Sequence, residues 1–381
     1  MAEYLTNDTD LKKVADAIRT KGGTSAALAY PDEYVSAINA ITTGTELKIV
    51  VSVTSGAVVT ATKGSDTVSG TSVNGVCTLI VPEAGTWSVK ATLGGQTSDT
   101  KNVSVVDSYA VALSFTDPAL NNNDWGVIRK ISDAGQGANY WSIGDRKEVT
   151  LNGTVGHLSL SNVTTYVFIL GFNHNASVEG TNRIHFQLAK TALSGGTDVC
   201  FCDNQYGPDS GWPSPGAGYF VMNASDTNSG GWKSSQMRTN ICGTSLSSYS
   251  GTIIAVIPAA LRAVLKSVTK YTDNTANGGG STASYVTATT DYFFLLSEFE
   301  VFGDIDYGNT NEKNKQAQYA YYSAGNSKIK YKHSDTSTAA LWLLRSPRAS
   351  ASANFVIVYP RGTVTYAKAS RSLGFAPGFC V

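Results

Sequence analysis

The sequence has few charged residues for its length, and the two signs balance. Only 15% of its 381 residues are charged, with 29 Lys and Arg against 29 Asp and Glu, so the net charge is zero. A DNA- or RNA-binding protein normally carries a basic stripe or an excess of Lys and Arg to meet the phosphates. The composition therefore predicts no nucleic-acid partner.

Cysteine is scarce, and its spacing fits neither a metal site nor a redox motif. Cys200 and Cys202 lie two apart rather than in a C-x-x-C pair, and the four histidines are distant from them in sequence. We therefore predict buried free thiols, with no metal and no cofactor. The five cysteines are Cys77, Cys200, Cys202, Cys242 and Cys380.

Long apolar runs and familiar catalytic motifs are absent from the sequence. No run of about 18 apolar residues occurs, and "MAEYLTNDTDLKK" has no apolar segment behind its charges, so neither a membrane span nor a signal peptide is expected. G-x-S-x-G, H-E-x-x-H and G-x-x-x-x-G-K-[ST] do not occur, and "GQGANY" lacks the last glycine of a dinucleotide fingerprint. We expect a protein that is not an enzyme.

Two weaker chemical patterns remain. Asp304 and Asp306 in "FGDIDYGN" could bind a cation, although a solvated loop is the favoured interpretation. His333 could act as a base with Asp335 nearby, yet residues two apart need a regular strand to share a face.

The sequence is instead rich in glycine and aromatic residues, with 37 Gly, 19 Tyr and 6 Trp, a mixture that favours short strands, turns and binding surfaces. Helical spacing in residues 1–44 predicts a helical hairpin for attachment or oligomerisation, with apolar positions at Leu11, Val14, Ala15 and Ile18 and then at Val35, Ile38 and Ile41. These helices are too short to form a core of their own.

The apolar period changes to two after this hairpin. Residues 45–107 alternate as in "LKIVV" and "GTWSVKATLGG", with a hairpin signal at Asn74-Gly75, which predicts a small immunoglobulin-like β-sandwich. Residues 108–381 predict an α+β domain with little helix, whose clearest helix follows Pro258 and places Leu261 and Val268 on one face. The whole chain is thus expected to be multidomain and mostly β.

The C-terminal segment predicts a hairpin with a binding face. Pro360-Arg361-Gly362 turns the chain between two alternating strands. If Val356, Val358, Val364 and Tyr366 point inward, the opposite positions are exposed. Together with the loop before the hairpin and "KASRS" after it, the candidate ligand-binding residues are Arg348, Ser350, Ser352, Asn354, Ile357, Tyr359, Arg361, Thr363, Thr365, Lys368, Ser370 and Arg371.

Four ordered motifs, "GGWKSSQMR", "LLSEFEVFG", "LWLLRSP" and "GFAPGF", resemble a known family from about Asn121 to Val381. They are similar to the C-type lectin-like domains, of the formylglycine-generating-enzyme type, that serve as variable proteins of diversity-generating retroelements in phages and prophages of gut bacteria. The stretch "YLTNDTDLKKVADAIRTKGG" likewise resembles the start of tail-associated phage proteins. None of the five cysteines matches the active-site cysteines of the enzymes, so the resemblance does not imply their activity.

The resemblance implies a fixed frame with a variable ligand-binding region at about residues 342–381. The implied frame residues are Trp232, Arg238, Trp342, Arg345, Phe375 and Phe379. The expected function is recognition of a bacterial cell-surface protein or glycan receptor, on a phage tail or a cell surface, with phage tail components as further partners. We expect a homo-oligomer, with a trimer as the leading form. The alternatives are an enzyme of the formylglycine-generating type and a bacterial surface adhesin.

Overall fold

The computed structural model describes residues 8–22, 26–40, 46–93, 96–207 and 215–381. The chain divides into two compact units, Met1–Phe115 and Thr116–Val381, and each is mostly β with short helices. The coarse prediction of a multidomain, mostly β protein is therefore confirmed. No helix within the described ranges has the length and apolar character needed to cross a membrane.

The N-terminal unit begins with a pair of helices, α1 (Asp8–Gly22) and α2 (Asp32–Ala40). Ala15 and Ile18 of the first helix are buried with Tyr34 of the second, whose hydroxyl donates to the carbonyl oxygen of Leu11 at 2.6 Å. Val14, Val35 and Ile38, which were predicted to lie on the apolar faces, are 49%, 56% and 51% exposed, so the prediction is wrong for these three. Ile41, which would extend that face, lies outside the described residues.

Two sheets follow in the same unit and enclose one apolar core. β4, β1 and β8 form one sheet, and β3, β2, β5 and β6 form the other, with β7 paired to β5. Trp87, Ile49 and Val51 are fully buried, so the alternation read in the sequence is confirmed here. The strands are β1 (Lys48–Ser52), β2 (Val58–Lys63), β3 (Asp66–Thr71), β4 (Val76–Ile80), β5 (Gly85–Leu93), β6 (Gln96–Thr97), β7 (Lys101–Val105) and β8 (Ser108–Ala112).

The predicted turn at Asn74-Gly75 lies between these two sheets. Both residues have positive φ, 52° and 84°, which is the backbone that Asn and Gly tolerate best. Val73 and Val76 pair across the turn, which leads from β3 of one sheet into β4 of the other.

The C-terminal unit is built on a five-stranded sheet in the order β15, β21, β11, β10, β9. Its helices are α3 (Trp125–Asp133), α4 (Gly137–Tyr140), α5 (Ala176–Glu179), α6 (Gly231–Ser234), α7 (Ile253–Val256), α8 (Ala259–Arg262), α9 (Glu298–Phe302) and α10 (Ala320–Ser323). Its strands are β9 (Arg146–Val155), β10 (Leu158–Phe172), β11 (Ile184–Lys190), β12 (Val199–Cys200), β13 (Val268–Asp273), β14 (Val286–Asp291), β15 (Phe293–Phe294), β16 (Lys330–Lys332), β17 (Asp335–Ala340), β18 (Trp342–Pro347), β19 (Asn354–Val358), β20 (Val364–Lys368) and β21 (Gly378–Cys380).

The last strand of the chain lies inside this sheet rather than at its edge. β21 pairs with β11 on one side and β15 on the other, and the Phe379 ring stacks on Phe186 with 5.3 Å between ring centroids. Phe375 and Phe379, which the resemblance implies as frame residues, are fully buried, and so is Val381.

The predicted long helix after Pro258 is wrong. The helix α8 ends at Arg262, and Val268 already belongs to a strand, β13. The backbone N–H of Lys266 donates to the carbonyl oxygen of Cys380 at 2.9 Å, so pairing with the C-terminal strand takes the place of another helical turn. Tertiary pairing overrides the helical spacing of the apolar residues here.

Candidate functional site

The predicted C-terminal hairpin is present and forms two strands of a three-stranded sheet. The central strand, β19, pairs with β18 on one side and β20 on the other. At the turn, the N–H of Gly362 donates to Tyr359 O at 2.8 Å, and the N–H of Tyr359 donates to Thr363 O at 2.7 Å. Gly362 has a φ of +80°, which explains glycine at this position. The turn thus presents its side chains at the end of a well-paired hairpin.

The predicted exposure of the two hairpin faces is wrong in part. Ile357 was expected outside, but it is 2% exposed, and Tyr366 was expected inside, but it is 38% exposed. Val356 pairs with Tyr366, and Ile357 pairs with Thr365, so the two sets do lie on opposite faces. The four consecutive residues Phe355 to Val358 of β19 are all buried, so both faces of this strand are covered and its alternation does not identify an open face.

The loop before the hairpin, residues 348–354, is held through its main chain by one buried side chain. The Asn228 amide nitrogen, Nδ2, lies 3.1, 2.7 and 2.9 Å from the carbonyl oxygens of Arg348, Ala351 and Asn354. The Asn228 backbone N–H donates to Ser352 O at 2.6 Å, and its Oδ1 accepts from the N–H of Asn277 at 2.9 Å. Asn228 is fully buried. These contacts use only main-chain groups of the loop, so they place no demand on its side chains.

The side chain of Arg348, the first residue of this loop, packs on two tyrosines. Its guanidinium carbon lies 3.6 Å from the centroid of the Tyr366 ring and 5.9 Å from that of Tyr307. The two tyrosine rings meet edge to face at 5.1 Å. Stacking of this kind restricts the orientation of the planar guanidinium while leaving part of it accessible. We call this group the tyrosine–arginine cluster.

Lys368 and Ser370 share one acidic partner at the far end of β20. Lys368 Nζ donates to Asp226 Oδ2 at 2.8 Å, and the Ser370 hydroxyl donates to Oδ1. Burial acts to raise the pKa of Asp226, but the hydrogen bonds from Lys368 and Ser370 outweigh it and hold the pKa below its ordinary value. Ser370 is fully buried, so the prediction that it lies on the ligand-binding surface is wrong.

The other predicted binding residues remain at least partly accessible. Exposed side chains are those of Ser350, Ser352, Tyr359, Arg361, Thr363 and Lys368, and half-buried ones are those of Arg348, Asn354, Thr365 and Arg371. We call these ten residues, together with Tyr366 and Tyr307, the C-terminal face.

The predicted frame residues lie behind this face and make defined contacts. Trp232 Nε1 and Arg238 Nε donate to the two oxygens of the buried Asp291 at 3.0 and 2.6 Å. Trp342 Nε1 donates to the carbonyl oxygen of Lys328 at 2.9 Å. Trp232 and Trp342 are fully buried, whereas the Arg238 side chain is 15% exposed. The sequence gave no sign of Asp291 as the common acceptor of Trp232 and Arg238.

Arg345 belongs to a buried charge network that sequence reasoning missed. It binds both carboxylate oxygens of Glu300, one of them at 2.9 Å from Nη2. Lys270 Nζ donates to Glu300 Oε1 at 2.9 Å, to Glu179 Oε2 at 2.7 Å and to the Tyr319 hydroxyl at 2.8 Å. Burial alone would raise the pKa of Glu300, but Arg345 and Lys270 hold it well below its ordinary value. Glu300 is therefore an anion held by two buried cations.

Among the described residues, His174, Glu179 and Glu300 form the one group whose ligand atoms lie close enough for a metal, all within 4.8 Å. His174 Nε2 is 3.7 Å from Glu179 Oε1 and has no hydrogen-bond partner. The ammonium of Lys270 bridges the two carboxylates, so a covalently attached cation already neutralises them. Burial raises the pKa of Glu179 to about 7.

The weaker chemical patterns of the sequence do not form sites. His333 Nδ1 accepts from the N–H of Cys202 at 3.2 Å, while Asp335 accepts from Ser337 and Thr338 within its own turn. Asp304 and Asp306 are exposed in a loop. The N–H groups of residues 306–308 in that loop donate to the carboxylate of Glu298. All five cysteines are buried free thiols, as predicted.

Comparisons with known proteins give one family match. A family model described as "Domain of unknown function (DUF6273)" matches residues 219–381. That range holds Asn228, the hairpin, the tyrosine–arginine cluster and most of the buried charge network. No curated protein matches the chain. The family description assigns no activity, so the function must be argued from the geometry of the C-terminal face.

Proposed function

We propose that this protein is a non-enzymatic ligand-binding protein whose C-terminal face is diversified by a retroelement, for recognition of receptors on bacteria. The observation that carries the proposal is the Asn228 clamp. It fixes the loop at residues 348–354 through carbonyl oxygens alone, so its side chains are free to change without loss of those bonds. A surface that binds many different ligands needs a loop whose main chain stays in place whichever side chains it carries.

The architecture of the C-terminal unit supports a C-type lectin-like frame. The final strand is locked into the five-stranded sheet, and the variable-region hairpin belongs to a second, smaller sheet. The side chains of "LWLLRSP" are buried, and Arg345 within it pairs with Glu300 of "LLSEFEVFG". Two of the motifs that resemble the family are thus joined by a buried ion pair, while the exposed residues lie between the motifs.

The N-terminal unit is proposed to attach this head to a phage or prophage tail, or to a cell surface. Its two-sheet core is compatible with an immunoglobulin-like sandwich, and its helix pair with an oligomerisation element. Val14, Val35 and Ile38 of the helices are about half exposed, which favours burial against further copies of the chain. Light scattering after size exclusion is expected to give a homo-oligomer, with a trimer as the leading form. A monomer at micromolar concentration would contradict this part.

Ligand binding is tested on a panel of intact gut bacteria with the purified full chain. Tyr359 and Arg361 are exposed at the hairpin turn and are of the residue types most common at binding hot spots. The double variant Tyr359→Ala, Arg361→Ala is expected to lose cell binding while keeping the wild-type unfolding transition. As a matched control, Tyr109→Ala with Lys90→Ala removes an exposed tyrosine and an exposed cation from the N-terminal unit. If the variant Tyr359→Ala, Arg361→Ala still binds cells, the assignment of these two residues to the ligand-binding site is wrong.

Diversification is tested in the DNA beside the gene. The proposal requires a reverse-transcriptase gene and a near-copy of the last hundred or so bases of the coding sequence, differing at template adenines. Within the copied segment, substitutions should then fall on codons of the C-terminal face between Arg348 and Arg371 and spare the buried Phe375 and Phe379. If the DNA beside the gene contains no such copy, a bacterial surface adhesin becomes the better interpretation of the C-terminal face.

A further inference from the structure

The C-terminal segment has a one-sided charge that the neutral total conceals. From Thr336 to Val381 the sequence contains no Asp and no Glu, but it contains Arg345, Arg348, Arg361, Lys368 and Arg371. In a chain with 29 residues of each sign, such an asymmetry is a local electrostatic feature. The cations of this segment therefore either pair with carboxylates elsewhere in the fold or remain available to an anionic ligand.

Of these five cations, Arg345 and Lys368 are neutralised within the fold, whereas Arg348 and Arg361 are not. Arg345 is paired with the buried Glu300, and Lys368 with Asp226. No carboxylate of the described residues lies within ion-pair distance of Arg348 or Arg361. Both arginines belong to the accessible C-terminal face. The face thus carries at least two guanidinium groups without a protein anion.

Arg348 is held in a fixed orientation before any ligand arrives. Its guanidinium stacks on Tyr366 at 3.6 Å, and its Nε is buried without a hydrogen-bond partner. The terminal nitrogens remain as donors, in the fork geometry that matches the two oxygens of a carboxylate or a phosphate. A cation that is already ordered loses less conformational entropy on binding.

The second arginine lies further along the same hairpin. Tyr366, on which Arg348 stacks, lies in β20, while Arg361 lies in the turn that precedes that strand. From Thr363 to Tyr366 the strand advances roughly 10 Å, at about 3.4 Å per residue. Two cations placed at separate points along the same hairpin, one stacked on β20 and one in the turn before it, suit a linear ligand with repeated negative charges better than a single small anion.

The remaining side chains favour a carbohydrate over a protein segment. Between residues 348 and 371 the only large apolar side chains with substantial exposure are Tyr359 and Tyr366, and the other exposed groups are hydroxyls or charges. A protein partner is usually held by apolar anchors buried in pockets. Two tyrosine faces, hydroxyls and fixed arginines instead match the rings, hydroxyls and charges of an acidic polysaccharide.

We propose that the C-terminal face binds an anionic polysaccharide of the bacterial surface. Arg348 and Arg361 donate hydrogen bonds to the carboxylate or phosphate oxygens of that polymer. This inference rests on the proposed function and names the ligand class for the same face. A carboxylate on a uronic acid and a phosphodiester in a wall polymer offer the same oxyanion chemistry, and the experiment separates these two sources.

The full chain is tested by biolayer interferometry against immobilised polygalacturonate, poly(glycerol phosphate) and neutral dextran. Wild type is expected to bind one of the two anionic polymers and not dextran, with affinity falling at least tenfold between 50 and 500 mM NaCl. The variant Arg348→Gln, Arg361→Gln is expected to lose at least tenfold in affinity. Arg348→Lys, which keeps the charge but not the planar fork, should give an intermediate loss.

The matched control is Lys90→Gln with Lys233→Gln, which removes two exposed charges that are not among the residues of the C-terminal face and should bind as wild type does. Equal binding to single-stranded DNA would indicate unspecific attraction and overturn the proposal. Binding of wild type to dextran would also overturn the proposal. So would a double variant Arg348→Gln, Arg361→Gln that binds both anionic polymers as tightly as wild type does.

Failure of this inference can be told apart from failure of the proposed function. If intact bacteria bind wild type but not Tyr359→Ala, and neither salt nor the loss of Arg348 and Arg361 changes that binding, the face binds a ligand that is not a polyanion. An acidic protein receptor would give binding that protease treatment of the cells removes, and this result too would overturn the polysaccharide. If no bacterium binds the chain at all, the proposed function itself fails.

Discussion

Asn228 Nδ2 lies 2.7 Å from the carbonyl oxygen of Ala351, and the same amide group reaches two further carbonyl oxygens of that loop. A fully buried amide thus fixes the main chain of a loop in which the side chains of Ser350 and Ser352 are exposed. Replacing Asn228 by alanine is expected to lower the free energy of unfolding by about 2–3 kcal/mol, because buried carbonyl oxygens lose their donors. Urea unfolding followed by tryptophan fluorescence checks this, since five of the six tryptophans follow residue 115.

The matched variant changes the loop and leaves the clamp intact. Ser350→Ala, Ser352→Ala and Asn354→Ala together remove side chains that the clamp does not use, and each is expected to change stability by no more than about 0.5 kcal/mol. A triple variant as unstable as Asn228→Ala would mean that the loop depends on its own side chains. The proposal of a diversifiable loop would then lose its main support.

The sequence predicted those parts of the site that depend on local pattern. The turn at Pro360-Arg361-Gly362, the strands on either side and the buried Phe375 and Phe379 are all present. A turn is specified by the few residues that form it, and a terminal aromatic pair has few alternatives to burial.

Parts that depend on distant residues could not be predicted. Ile357 was placed outside because the period-two rule assumes one covered face, whereas β19 is covered on both. Lys270 meets Glu179 and Glu300 at separations of 91 and 30 residues, which no local spacing reveals. Asn228 opens a stretch, "NSGGWKSS", whose glycines signalled unusual backbone, but its contact with the loop is more than 100 residues away.

Two buried lysines should respond in opposite ways to the same substitution. Lys330 Nζ is buried without a hydrogen-bond partner and lies 5.4 and 5.3 Å from the ring centroids of Phe168 and Trp342. Burial lowers the pKa of Lys330 to about 8, a sign that its charge is poorly compensated. Lys330→Met is therefore expected to leave stability within about 1 kcal/mol of wild type or to increase it.

Lys270→Met is the contrasting variant. Lys270 donates to two buried carboxylates and a tyrosine hydroxyl, so its removal leaves Glu179 and Glu300 without a shared cation. The expected loss is about 3–5 kcal/mol in urea unfolding. If Lys270→Met and Lys330→Met lowered the free energy of unfolding equally, burial alone would decide the effect of removing a lysine. The hydrogen bonds and ion pairs of Lys270 would then not account for its contribution to stability.

Glu312 should make the protein more stable at pH 5 than at pH 7.5. Burial raises its pKa to about 7, although the N–H of Asp273 and the hydroxyl of Ser346 donate to its carboxylate. The folded state therefore holds a proton that the unfolded state releases above about pH 4.5. This contribution is fully present below that pH and is lost as the pH rises through about 7.

Glu312→Gln removes this dependence. The stability of wild type minus that of the variant is expected to be about 2–3 kcal/mol larger at pH 5 than at pH 7.5. Urea unfolding at the two pH values measures the difference, and Glu83→Gln, the same substitution at an exposed site, serves as the matched control. A difference that stays constant, or that grows toward pH 7.5, would show that Glu312 is ionised throughout the range.

His174 should produce the opposite pH dependence. Burial, and then the positive charge of Lys270, lowers the pKa of His174 to about 3. The unfolded chain takes up a proton at this histidine below about pH 6.5, whereas the folded chain does not. Stability from this group is thus present above pH 6.5 and falls as the pH is lowered toward 3.

His174→Phe keeps the ring that stacks on Tyr319 at 3.7 Å but removes the titration. The stability of wild type minus that of the variant is expected to be about 2 kcal/mol larger at pH 7.5 than at pH 5. His157 is exposed and stacks on Tyr219 at 4.1 Å, so His157→Phe makes the same change of ring without burial and serves as the matched control. If His174→Phe behaves like His157→Phe, the buried network accepts a proton at His174, and the cation that holds Glu179 and Glu300 together is not Lys270 alone.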